Sequence, residues 1–265
     1  MQENTLDKIT DIKACRQGMM IYLKKDIYLG RSLELYGEFS EGEVLLFSQL
    51  IRPGDVVIDA GANIGAHTVF FAKAVGDAGM VIAYEPLRFI HQMLCANIAL
   101  NELTNVYDRH AALGESLGQI AVHVPDYRSE SSFGSFSIGS GNETVSMETI
   151  DSLNLQRLRF IKIDVEGMEA NVIRGAVQTI QRLKPILYIE NDRHEKSATL
   201  IELLLSLHYR IWWHLPPLFN PNNFSGVREN VFGNIISVNL LCVPKEAAAN
   251  IGGLREVLSP NDRWF

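Results

Sequence analysis

Apolar positions along this chain switch between two periods. Residues 1 to about 18 read as a polar lead-in or short helix. Between Met19 and Glu38, apolar and polar residues partly alternate through Ile21, Leu23, Ile27, Leu29, Leu33 and Leu35, which predicts short strands with turns near Lys25-Asp26 and Gly30. From Glu43 to Ile51 the period lengthens. Val44, Leu45, Phe47, Leu50 and Ile51 share one broad face, so a helix is expected there, stopped by Pro53-Gly54. Val56-Val57-Ile58-Asp59-Ala60 is then a continuous apolar run ending in an acid, the mark of a buried parallel strand. It passes through Gly61 and Gly65 into Ile64 to Val75, apolar nearly all round, as a helix packed on a sheet should be.

The same strand-then-helix unit recurs. Met80 to Glu85 predicts a second strand, and Leu87, Ile90, Leu94 and Ile98 mark a helix ending near Asn101. Val106 to Leu113 predicts a third strand and Gln119 to Val124 another. Phe160 to Asp164 predicts a fourth unit, followed by one helix through Met168, Val172, Ile173, Ala176, Val177, Ile180 and Leu183. Ile186 to Ile189 is a fifth strand, with a helix over Ser197 to His208. Tyr209 to Leu215 and Asn234 to Val243 are strands with no helix between them. Repeated units of this kind imply an α/β fold with a parallel sheet and right-handed crossovers, and the final pair implies an antiparallel edge. The expected organisation is a β/helix extension over residues 1–50 packed on one globular domain over 51–265. Asp126 to Asn142, rich in Ser and Gly with Phe133, Phe136 and Ile138, reads either as a loop that covers a ligand or as a plain surface excursion.

Composition narrows the function classes. The chain has 265 residues, 47% hydrophobic and 21% charged, enough to bury a full core. A net charge of −7 without basic runs argues against a nucleic-acid partner. The polar N-terminus lacks a signal-peptide core, and no apolar stretch is long enough to span a bilayer, so a cytoplasmic protein with no membrane partner is expected. Cys15, Cys95 and Cys242 are far apart in sequence without metal-ligand spacing and read as reduced structural thiols. Homo-oligomerisation is left open.

The chemistry concentrates at strand ends. A strand–turn–helix junction faces backbone N–H groups and a helix N-terminus toward a crevice, the usual place for a nucleotide. A dinucleotide turn requires three glycines as G-x-G-x-x-G. Here Asp59 precedes Gly61-Ala62-Asn63-Ile64-Gly65, which is nearer the D/E-x-G-x-G-x-G turn of S-adenosylmethionine-dependent methyltransferases, with Asn63 in the middle glycine's place. Glu85, ending the second strand about twenty residues on, can accept hydrogen bonds from both ribose hydroxyls of either NAD or S-adenosylmethionine.

Taken together, the chain resembles the FkbM family of S-adenosylmethionine-dependent methyltransferases. The matching residues run from Gly54 to Gly65, then Tyr84-Glu85-Pro86, Asn97 with Asn101, Ala112-Leu113-Gly114, Ile161 to Glu169, Gly175-Ala176, and Pro185 with Glu190. The resemblance implies a Rossmann-like class I methyltransferase fold, with a mostly parallel seven-stranded sheet ending in an antiparallel hairpin. It also implies O-methylation of a hydroxylated small molecule such as a sugar or polyketide. On it, Asp59, Gly61, Ala62, Asn63 and Gly65 would surround the methionine part of S-adenosyl-L-methionine. Glu85 would take the ribose, and Pro86, His110 and Ala111 would border the adenine. The alternatives are an NAD-dependent oxidoreductase and a non-catalytic Rossmann-like interaction domain.

A neutral hydroxyl is a weak nucleophile, so a base or metal near the acceptor is expected. Asp164, Glu166 and Glu190 should meet at the crevice as catalytic candidates, with His194 next. The competing reading is structural: Glu166 and Glu169 support a helix dipole and Lys162 neutralises a buried acid. Asp164, Glu190 and Asn191 offer oxygen ligands to a divalent metal, but their generic spacing does not favour one. His67 reads as a capping or packing residue near the cofactor. Trp212, Trp213, His214, Phe219 and Phe224 read as core or as an acceptor pocket. Pro216-Pro217 is not the N/D-P-P-Y/F signature of amino methyltransferases, which weakens base methylation.

Overall fold

The computed structural model describes residues 8–134, 140–248 and 250–265. It begins with an antiparallel hairpin, β1 (Thr10–Cys15) and β2 (Gly18–Leu23). The stretch expected as polar lead-in or helix therefore holds a strand, the partner that β2 needs. Helices α1 (Leu29–Tyr36) and α2 (Glu41–Leu50) follow. Helix α1 replaces the turn expected near Gly30 and the strand after it: Leu29, Leu33 and Tyr36 recur at helical spacing and are all buried. Asp26 holds its start, its Oδ1 accepting from the Tyr28 and Leu29 N–H groups at 2.9 and 3.1 Å.

The remaining elements are β3 (Val56–Ala60), α3 (Ala66–Val75), β4 (Met80–Tyr84), α4 (Arg88–Leu100), β5 (Val106–Arg109), β6 (Ala112–Leu113), β7 (Gly118–Val122) and β8 (Glu143–Glu148). After these come β9 (Phe160–Ile163), α5 (Glu169–Arg174), α6 (Val177–Leu183), β10 (Ile186–Glu190), α7 (His194–Ser206), β11 (Tyr209–His214), β12 (Asn239–Pro244) and β13 (Arg255–Val257). The main sheet runs β13-β11-β12-β10-β9-β3-β4-β5. Strands β5, β4, β3, β9 and β10 are parallel, and β12 lies reversed between β10 and β11. This is the class I methyltransferase arrangement, with its antiparallel hairpin at the edge. The sheet has eight strands rather than seven, because three residues of β13 add onto β11. So short a segment carries no periodicity of its own.

Two further expectations are revised. The strand over Val106 to Leu113 is two strands, since the chain leaves the main sheet after Arg109 and β6 joins β7 and β8 in a separate small sheet. The helix expected from Met168 to Leu183 is also two. It breaks at Gly175, where the fold brings the Gly114 carbonyl within 2.0 Å of the place a Cβ would occupy. Phe136 and Ile138 lie outside the described residues.

Strand alternation decides what faces the crevice. On β3, Val56, Ile58 and Ala60 enter one core while Val57 enters the other, so Asp59 shares the face of Val57. The same rule puts Lys162 with Phe160 on β9, and Glu190 with Ile186 and Tyr188 on β10. Register pairs Asp59 with Lys162 and Glu190 with Asn239. The polar ends of four strands therefore share one sheet face. Asn97 of α4 joins the N-terminal hairpin to the glycine turn: it accepts from Ile21 N–H at 2.7 Å and donates to the Ile21 and Ile64 carbonyls. No helix among the described residues is long and apolar enough to cross a membrane.

Candidate active site

The carboxyl ends of β3, β4, β9 and β10 open into a cavity of about 350 Å³. Its first half is the glycine turn. Gly61, Asn63 and Gly65 all have positive φ, at 79°, 51° and 90°. Asparagine tolerates this region better than other side-chain-bearing residues, which is why it can stand where a glycine is usual. Gly61 has no substitute, because a Cβ there would lie 1.7 Å from the Asp164 carbonyl oxygen. Glu85 is buried against this turn. Its Oε2 accepts from Asn63 N–H at 3.0 Å and its Oε1 from Leu87 N–H at 2.8 Å. Burial pushes its pKa up to about 7, against the pull of those two backbone donors.

Gly61, Ala62, Asn63, Glu85 and Pro86 line the cavity. Asp59 and Gly65 lie behind them. Asp59 is fully buried, its Oδ2 accepting from Thr68 Oγ1 at 2.6 Å, while its Oδ1 has no hydrogen-bond partner and sits 3.7 Å from Lys162 Nζ. His110 and Ala111 are not among the lining residues. Ala111 is packed in the core, and the His110 ring stacks on His91 with its Nε2 3.1 Å from the Pro86 carbonyl.

The second half of the cavity is crowded with acids. Asp164, Glu166 and Glu190 line it, and one oxygen of each lies within 4.8 Å of the others. Burial, then the nearby Asp164, raises Glu166 to about 8, although Arg193 Nη2 donates to its Oε2 at 2.6 Å. Glu190 is pushed well above the carboxylate range by burial and by Asp164, Glu166, Asp192 and Glu169 around it. Glu166 also has a positive φ of 55° immediately before Gly167, an uncommon conformation for a residue with a side chain.

Beneath them lies Lys162, buried, with its Nζ 3.1 Å from Asp164 Oδ2. Burial alone would lower its pKa, but Asp164, Asp59 and Glu43 reverse that and raise it. Glu43 enters from α2 and accepts from Asn239 Nδ2 at 3.2 Å. Burial keeps Glu43 raised and holds His67 well below its ordinary value, so the imidazole is neutral with its Nε2 3.7 Å from Glu43 Oε2 and no hydrogen-bond partner.

A family model described as the methyltransferase FkbM domain matches residues 59–211, more than half of the chain. The chain belongs to the FkbM methyltransferase family. The curated Methyltransferase 1 of Beauveria bassiana (strain ARSEF 2860) is 22% identical over 181 residues, covering 56% of this chain and 71% of that protein. Among solved structures, the FkbM methyltransferase of Methylobacillus flagellatus KT is 19% identical with a TM-score of 0.49, covering 76% of this chain and 50% of that one. This chain thus spans about half the length of that relative. Streptococcus mutans SMU.1697c in complex with SAH is 12% identical with a TM-score of 0.45, covering 77% of this chain and 93% of that one.

Within this FkbM domain the expected catalytic residues divide. Asp164, Glu166 and Glu190 come together. His194 does not join them: it opens α7 and stacks on Trp264 with ring centroids 4.2 Å apart. Asn191, offered as a metal ligand, is buried with its Nδ2 donating to Ser197 Oγ at 2.9 Å and is not among the residues lining the cavity. Most of the tail aromatics are packing residues: Trp212 and Trp213 are buried in the core, His214 Nδ1 lies 2.8 Å from the Tyr188 hydroxyl, and Phe219 packs on Tyr36, whereas Phe224 is exposed and does not line the cavity. The tail reaches the cavity through Leu218, Ile235 and Ile236. Glu43, Asp26 and Phe39 had no sequence motif to betray them. Their only signal was a position beside a helix start, Asp26 and Phe39 shortly before α1 and α2 and Glu43 in the first turn of α2.

Proposed function

We propose that this FkbM domain binds S-adenosyl-L-methionine in the glycine-turn half of the cavity and methylates a hydroxyl of a small molecule in the other half. The observation that carries the reading is Glu85: a buried carboxylate at the cavity wall, fixed by two backbone donors, beside a turn that excludes any side chain at Gly61. These residues fit the cofactor, with Glu85 on the ribose and Gly61, Ala62 and Asn63 along its methionine part. When bound, the cofactor supplies an electrophilic methyl group on a positively charged sulfur.

The chain's own work is to place the acceptor and take its proton. Asp164 is the group we assign to accept the hydroxyl proton on an Oδ, because Lys162 at 3.1 Å orients it toward the cavity. Glu166, raised to about 8, is the second base, able to exchange a proton near neutral pH. Glu190, kept protonated by its neighbours, orients the acceptor as a hydrogen-bond donor. The extension over residues 1–50 completes the acceptor half through Asp26, Tyr28, Leu29 and Phe39, opposite Leu218, Ile235 and Ile236. That mixed apolar and acidic wall suits a neutral hydroxylated acceptor and repels a polyanion such as nucleic acid. The carboxylate trio can perform this proton transfer without a divalent metal.

The test is transfer of labelled methyl from S-adenosylmethionine to a panel of sugars and polyketides, beside ribosomal RNA. Label in a small hydroxylated acceptor supports the reading. Label in RNA alone, or on nitrogen or carbon, contradicts it.

A further inference from the structure

Outside the cavity, α4 and the edge strand β5 bring together three side chains of a different chemistry. His91 and Cys95 are one turn apart on α4 and so share a face. Asp108 reaches them from β5. His91 Nε2 lies 3.0 Å from Asp108 Oδ2, Cys95 Sγ lies 3.3 Å from the same oxygen, and the sulfur is 3.8 Å from either ring nitrogen. We propose that His91, Cys95 and Asp108 form a zinc site with solvent as the fourth ligand.

The distances carry the argument. Tetrahedral zinc bonds of about 2.0–2.3 Å set ligand atoms roughly 3.3–3.6 Å apart. The three observed separations bracket that range. Because the sulfur is equidistant from both ring nitrogens, the His91 imidazole must also turn about its Cβ–Cγ bond to aim Nε2 at the ion. That turn, with small shifts, completes one triangular face. The ligand set is one imidazole, one thiolate and one carboxylate, which suits zinc and not the all-oxygen preference of magnesium or calcium. The fourth corner is open because Asp108 is the exposed member, with a side chain 36% accessible, while His91 is 14% accessible. His110 stacks on the His91 ring with centroids 5.1 Å apart. Binding replaces the thiol proton, now donated to Asp108, and releases it to solvent.

A metal here would also have a mechanical effect. Strand β5 is the sheet's free edge, and its Arg109 carbonyl accepts from Glu85 N–H at 3.1 Å. Zinc would tie that edge to α4 directly beside the residue assigned to the ribose.

The test uses the full chain after removal of metals by chelation. Equilibrium dialysis with zinc should give one equivalent per chain, and cobalt in its place should give thiolate-to-cobalt charge-transfer absorption. Cys95→Ser should abolish that absorption, and both Cys95→Ser and His91→Ala should weaken zinc by roughly tenfold or more, since even indirect partners of metal ligands are worth that much. Asp164→Asn should leave the cobalt spectrum unchanged, and circular dichroism of each variant confirms that it is folded. Failure to bind zinc stoichiometrically overturns the proposal and leaves the trio as a hydrogen-bonded contact. Zinc retained undiminished by both variants overturns it too, by placing the metal on the cavity carboxylates.

Discussion

The two halves of the cavity are built from the same parts, a strand end and a glycine turn, and both hold acids raised by burial, yet those acids are partnered differently. At β3 and β4 each Glu85 oxygen accepts from a backbone N–H, so the acid is oriented before any ligand arrives. At β9 and β10, three acids crowd within 4.8 Å and two of them are pushed far up, with one lysine and one arginine partnering the group. Backbone donors orient Glu85, whereas like charges crowd the other three. On the proposed function the first half binds the cofactor and the second takes the acceptor's proton, so substitutions should break the two independently.

Lys162→Met should have the largest effect. It strands Asp59, Glu43 and Asp164 around an uncharged side chain, and removing one partner of a buried ion pair costs about 3–5 kcal/mol. Denaturant unfolding would measure the loss; a cost below 1 kcal/mol, within an exposed pair's range, would mean that the buried charges are neutralised by other means. Asp164→Asn should lower turnover about a hundredfold or more, the range of general-base catalysis, while S-adenosylhomocysteine affinity stays near wild type. A matching fall in affinity would merge the two halves.

Glu85→Ala sharpens the comparison from the other side. It should weaken S-adenosylhomocysteine by about 1–3 kcal/mol, as for lost hydrogen bonds to a charged group, with calorimetry as the measure. The smallest effect concerns Glu190. Its folded pKa lies well above the ordinary 4.5, so its contribution to stability is full below that value and is lost as pH rises through the folded pKa. Glu190→Gln should therefore raise the melting temperature more near pH 8 than near pH 5, by about 2–4 °C for each kcal/mol of repulsion removed. A gain that does not depend on pH would contradict the crowding.

The glycine turn was legible because its requirements are local. Gly61, Asn63 and Gly65 take positive φ, and Gly61 meets the Asp164 backbone closely, features that leave their mark within a few residues. Glu85 was legible by its distance from the turn. The acidic half was only partly so. Asp164, Glu166 and Glu190 end strands, which placed them, but the role of Lys162 depends on the pairing of β3 with β9, far apart in sequence. Glu43 reaches the network from α2 across a distance that no spacing reveals. His194 ranked next after the acids, and only the position of Trp264 shows that it faces the tail instead. In the fold, α1 was misread because eight residues give too few turns to separate a helical stripe from alternation. The small sheet was missed because β6 read as the end of one main-sheet strand, β7 read as a strand with no sheet of its own, and β8, beyond the loop, was not assigned.

The central claim is that a nucleoside sits against Glu85. Its most direct test is calorimetric titration of the wild-type protein with S-adenosylhomocysteine across neutral pH, with NADH as the competitor. Glu85, raised to about 7, must lose its proton to accept both ribose hydroxyls, so one site per chain is predicted, tightening as pH rises through that value, and NADH should give no heat. A folded protein that takes up NADH, or that leaves S-adenosylhomocysteine unbound at every pH, would contradict the account.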